Sequence, residues 1–122
     1  MECEVAKSQL ATALRSLPAA GSLGFEGLLR DILIEVTTLG FGLAKTGPQG
    51  GSDVRSLGLN LFEVALEAKR YRAHTVLKVD ALKAKLFATW ENENGTDLWI
   101  LAATRAISAT DNEELTLAGE KL

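Results

Sequence analysis

Three residues near the middle of the chain, Asp53, Glu67 and Lys69, have the types and spacing for phosphate chemistry. Glu67 and Lys69 are two apart, so in a strand both side chains leave the same face. Asp53 follows a turn rich in Gly and Pro at residues 47–52 and opens a short strand, and one hairpin from there would set it beside Glu67. Two carboxylates brought together repel each other unless a cation lies between them. Hard oxygen ligands with positions left for water suit Mg²⁺ or Mn²⁺. A neighbouring ammonium can orient or deprotonate a water and balance the charge that builds on a phosphoryl group. These are the needs of phosphodiester hydrolysis: a cation to polarise the phosphoryl oxygen and a positioned nucleophile. A Glu-x-Lys pair alone carries little weight, because any exposed strand or helix can hold one. The acid on a preceding strand, and the order of the surrounding elements, give it weight.

The elements that must position these groups follow from periodicity. Val5, Leu10, Ala13, Leu14 and Leu17 form a loose helical stripe, interrupted by Pro18, Gly21 and Gly24. Ser22 is a candidate cap for a second helix with Phe25, Leu28, Leu29, Ile32, Leu33 and Val36 at helical spacing, ended by Gly40 and Gly42. Residues 41–46 and 53–57 read as short strands, with a further turn at Gly58 and Asn60. Residues 61–71 alternate Phe62, Val64, Leu66 and Ala68 against Glu63, Ala65, Glu67, Lys69 and Tyr71, the pattern of a strand. A helix is predicted over 75–90 through Val79, Leu82, Leu86 and Trp90, with Asn94-Gly95 as its stop. The apolar run at 97–104 predicts a strand covered on both faces, and 112–122 reads as a last helix. The expected order is α-α-β-β-β-α-β-α, an α/β fold with a central mixed sheet flanked by helices.

The 122 residues fit one domain, with 47% hydrophobic and 24% charged residues, as in ordinary globular chains. No apolar run approaches the roughly 20 residues of a membrane span, and the first residues carry no apolar signal core. A cytoplasmic protein that does not engage membranes is expected, in keeping with a single cysteine, Cys3. The net charge is −3, yet Lys69, Arg70, Arg72, Lys78, Lys83 and Lys85 stand against Asp80 alone in the segment they span. Such a basic stretch between acidic ends suits a phosphate-facing surface, and equally a solvated helix face. His74, the sole histidine, reads as a surface residue, and Trp90 and Trp99 read as core. No zinc spacing, Walker motif or Ser-His-Asp set is present.

The pairs Phe25-Glu26 and Gly40-Phe41, with Gly50-Gly51-Ser52-Asp53 and Glu67-Ala68-Lys69-Arg70-Tyr71, resemble the PD-(D/E)xK nuclease superfamily, most closely its Mrr-like restriction-endonuclease group. The resemblance runs from Gly24 to Thr104. The segments FEGLLRDIL and LWILAATRAIS are also similar to nuclease effector domains at the N-termini of bacterial antiviral STAND NTPases. The resemblance implies a restriction-endonuclease-like core that cleaves double-stranded DNA with Mg²⁺. Asp53, Glu67 and the Ala68 carbonyl would hold the ion, and Lys69 would position the attacking water. Glu26 would reach in from its helix to a second ion or a water bridge. Gln49, Arg70, Tyr71 and Arg72 are candidate DNA contacts, although Gln49 reads better as a simple turn residue and Arg70 and Arg72 leave the face opposite Lys69 if the strand stays regular there. The family core continues with a further strand after the last helix seen here. The chain is therefore expected to be the N-terminal nuclease domain of a longer polypeptide, activated by oligomerisation through another region. The competing reading is an inactive nuclease-like module that docks nucleic acid or protein without cutting.

Overall fold

The computed structural model describes residues 2–43, 52–57, 62–72, 74–92 and 96–122. Its elements are α1 (Glu2–Ser16), α2 (Phe25–Thr37), β1 (Phe41–Leu43), β2 (Val54–Ser56), β3 (Val64–Lys69), α3 (Val79–Asn92), β4 (Leu98–Ala103) and α4 (Ala109–Glu120). The fold is α/β, and the order of elements matches that expected from periodicity. The four strands form one open mixed sheet in the order β1-β2-β3-β4. β1 and β3 both run antiparallel to β2, while β4 lies parallel to β3 with Val64 opposite Leu98 and Lys69 opposite Ala103. A parallel partner requires a crossover, and α3 lies within it.

One face of the sheet buries Phe41, Val54, Val64 and Leu66 against Leu29 and Leu33 of α2. This is the apolar half of the alternation in β3. The other half, Ala65 and Glu67, is also buried. α3 approaches that second face, since Lys85 reaches Glu67, and its buried Leu82 and Leu86 are joined by Leu115 of α4.

Several local expectations are corrected. Ser22 does not cap α2; Gly24 does, with no side-chain bond. The free amides of the first turn go instead to loop carbonyls, Phe25 to Pro18 (2.7 Å), Glu26 to Ala19 (3.3 Å) and Gly27 to Gly21 (3.1 Å). The helix ends at Thr38 in the left-handed region (φ 60°), before Gly40, and Gly42 belongs to β1. β3 is shorter than 61–71, and Phe62 is 52% exposed. Pairing starts at Val64, because the Asp97 carboxylate takes the Glu63 amide (2.7 Å) at the start of the strand pair. β4 is half exposed rather than covered on both faces, because it is the edge strand of the described sheet. Trp90 is 40% exposed, with its ring edge-on to Phe87 at 6.5 Å, and so does not belong to the core. The ends of the segments at 41–46 and 61–71, the turns at 47–51 and 58–60, and the Asn94-Gly95 stop lie outside the described residues.

α1 buries none of its residues. It is held through Arg15, whose guanidinium donates to the carbonyls of Tyr71 (3.2 Å) and Thr104 (3.0 Å), while Arg70 donates back to the Arg15 carbonyl (3.0 Å). No helix among the described residues is long and apolar enough to cross a membrane.

Candidate active site

β2 and β3 place the two acids face to face. Val54 pairs with Leu66 and Arg55 with Ala65, which brings Asp53, the residue before Val54, beside Glu67, whose carboxyl feels its charge. The Asp53 amide also donates to the Leu66 carbonyl (3.0 Å), so Asp53 and Val54 both face Leu66 and the ladder bulges at its end. The Asp53 carboxylate then accepts from the Ala68 amide at 2.7 Å. A strand residue sends its amide and carbonyl to the same side, so the Ala68 carbonyl lies on the Asp53 side of β3.

Glu67 is only 2% exposed. Its Oε1 lies 3.2 Å from the Lys69 ammonium, two residues along the same face of β3. Its Oε2 lies 4.0 Å from Lys85 and is buried with no hydrogen-bond partner. Burial, and then the Asp53 charge, push the Glu67 carboxyl up to about 7, against the pull of Lys85 and Lys69. Glu26, in the first turn of α2, joins the same cluster. Its carboxyl is raised by burial first, then by the charge of Asp53 and a hydrogen bond to it, while the Gly21 backbone and Lys85 pull it down.

The structure therefore brings Glu26, Asp53, Glu67, Lys69 and the Ala68 backbone together. It adds Lys85, which sequence reasoning counted only as part of a basic stretch. A signal for it existed: on α3 it sits three residues after Leu82 and one before Leu86, the two buried positions, at the edge of the inward face. Lys83, two residues earlier, turns away to pair with Glu114 at 3.2 Å.

The candidate DNA contacts differ in availability. Arg70 is tied to α1 and the Tyr71 carbonyl is taken by Arg15 and by the Thr104 hydroxyl, whereas Arg72 is exposed. Gln49 lies outside the described residues. His74 and Cys3 are both exposed.

Among the described residues, no group of three or more His, Cys, Asp or Glu side chains is spaced to hold an ion unaided. Mg²⁺ typically takes one or two carboxylates and keeps several waters. The Asp53 and Glu67 pair fits that habit, and the partnerless Glu67 Oε2 is an acceptor that a cation would satisfy. No family model matches the chain, and neither does any curated protein or solved structure.

Proposed function

We propose that this chain is a Mg²⁺-dependent DNA endonuclease on a restriction-endonuclease-like core. It would serve as the effector domain of an antiphage defence protein, switched on when another region of its parent chain gathers copies together. The observation that carries the chemistry is Glu67, buried beside Asp53 with the Lys69 ammonium 3.2 Å from one oxygen, Lys85 4.0 Å from the other, and Glu26 acting on the same acid Asp53. The choice of double-stranded DNA and the defence setting rest on the sequence resemblance alone.

Asp53, Glu67 and the Ala68 carbonyl would hold Mg²⁺ or Mn²⁺, with Glu26 at a second ion or bridging water. When bound, such an ion would supply polarisation of a phosphoryl oxygen and a lowered pKa for water. Lys69 orients the attacking water and offsets negative charge on the phosphorane as the new P–O bond forms and the old one breaks. Lys85, 4.0 Å from the other oxygen of Glu67, favours the ionised carboxylate against burial and adds positive charge where the phosphate would arrive. A module that only docked partners would gain nothing from a buried carboxylate whose ionisation burial opposes, so the non-cutting alternative is the weaker one. The test is cleavage of plasmid DNA by the chain, free and fused to a tetramerising tag, in Mg²⁺ and in EDTA. Metal-dependent cleavage that rises steeply on tetramerisation supports the proposal. A free monomer that cuts as fast as the tetramer removes the switch, and no cutting by either removes the nuclease.

A further inference from the structure

We propose that the outer edge of β4 pairs with the β4 edge of a second copy of this chain, antiparallel and across a two-fold axis at Leu101. Natural sheets blunt their edges with charged side chains or proline. β4 (LWILAA) carries neither, and it ends the described sheet. Its polar backbone groups are oriented for a partner. Leu98 and Thr104 send their amides to the β3 side, to the carbonyls of Glu63 (3.1 Å) and Lys69 (3.1 Å). Alternate residues of a strand point these groups to alternate sides, so the amides and carbonyls of Trp99, Leu101 and Ala103 point away from β3.

In an antiparallel pair, residues that exchange both backbone bonds stand directly opposite each other. Outward residues must therefore face outward residues. Only the register with Leu101 opposite its own copy lets Trp99, Leu101 and Ala103 all pair, Trp99 facing Ala103 of the second copy. That register sets large against small, Trp99 beside Ala103 and Ile100 beside Ala102. It also sets Asp97 opposite Arg105 at both ends, and neither of these is in an ion pair among the described residues. Backbone bonding and charge thus select the same arrangement, and a strand complementary to itself favours a second copy over an unrelated strand. Glu67 stands opposite Leu101 in the β3–β4 pair, so the two Glu67 residues of the dimer lie level on one face of a continuous sheet. Three strand spacings separate them, about 14 Å, on the scale of the grooves of duplex DNA, about 6 and 12 Å wide. On the nuclease reading above, on which this consequence rests, gathered copies gain two sites facing the two strands of one duplex. The contact is a single strand long, so the dimer is weak and forms as concentration rises.

Sedimentation equilibrium of the chain, with neither metal nor DNA, is expected to show a reversible doubling of the monomer mass from low to high micromolar concentration. Leu101→Pro removes an amide that points away from β3, where an edge strand tolerates proline. This variant should stay folded by circular dichroism and remain monomeric. In a Cys3→Ser background, which removes the exposed native thiol, Leu101→Cys should form a disulfide-linked dimer on mild oxidation. Directly opposed Cα atoms stand about 5.5 Å apart, within disulfide reach. Ile100→Cys faces Ala102 instead and should not cross-link. The proposal is overturned if the chain stays monomeric at high micromolar concentration, which would leave the edge to a strand of a different chain. It is equally overturned if folded Leu101→Pro dimerises as the wild type does, or if Ile100→Cys cross-links as readily as Leu101→Cys. None of these readouts uses cleavage, so the pairing and the nuclease reading fail separately.

Discussion

At the scale of single residues, Glu67 costs the fold stability. Its carboxyl titrates near 7 in the folded protein, against an ordinary value of 4.5. Below pH 4.5 both states hold the proton and the cost vanishes. Between 4.5 and 7 the unfolded chain releases it first, so stability falls as pH rises, and above 7 the full cost applies. Glu67→Gln should therefore raise stability towards urea at pH 8 and leave it nearly unchanged at pH 4. Mg²⁺ should stabilise the wild type at pH 8 and not this variant, because a ligand stabilises only the state that binds it. Lys85 belongs to the same cluster from the other side. Lys85→Ala should slow metal-dependent DNA cleavage by about tenfold or more and move the acid limb of its pH profile upward, since one of two charges that favour ionised Glu67 is gone. Lys83→Ala, which breaks only the pair with Glu114, should leave the profile where it was.

At the scale of elements, the N-terminus of α2 sets where Glu26 points. A Cβ on Gly27 would run into the backbone of Ser22, and one on Gly24 into the carbonyls of Pro18 and Ala20. Gly27→Ala should cost about 2 kcal/mol on chemical denaturation, because backbone rather than a side-chain tip must yield. It should also lower cleavage beyond that loss, since Glu26 is the preceding residue. Sequence reasoning placed a serine cap here because Ser before an apolar helical run is a local rule. Loop carbonyls take the amides instead, and no pattern of residue types records that. β3 was legible because its alternation is local, and Glu67 and Lys69 inherit a common face from it. The approach of Asp53 to Glu67 was legible as one hairpin. Lys85 was legible only as a position at the edge of the apolar face of α3; that it meets Glu67 depends on how far α3 is rotated over the sheet, which is set by packing. The exposure of β4 escaped for a related reason: an apolar run does not say whether its strand is central or at an edge.

At the scale of the whole molecule, an open four-stranded sheet holds the acids between two of its strands while a helix on each face supplies a further charged group, Glu26 from α2 and Lys85 from α3. α1 hangs from this body by Arg15 and Arg70. Arg15→Ala should therefore free α1 to exchange its amide hydrogens with solvent at least tenfold faster, on the order of 1.4 kcal/mol of lost protection, with little change in the sheet. The proposed activity depends on the central pair far more than on this periphery. The most direct measurement is the Mg²⁺-dependent rate of plasmid cleavage by the tetramer-fused chain carrying Glu67→Ala, beside the unmutated fusion and with circular dichroism to verify folding. The account expects cleavage by the unmutated fusion and a loss of about a hundredfold or more in a variant that remains folded. Cleavage by folded Glu67→Ala at the wild-type rate would contradict it.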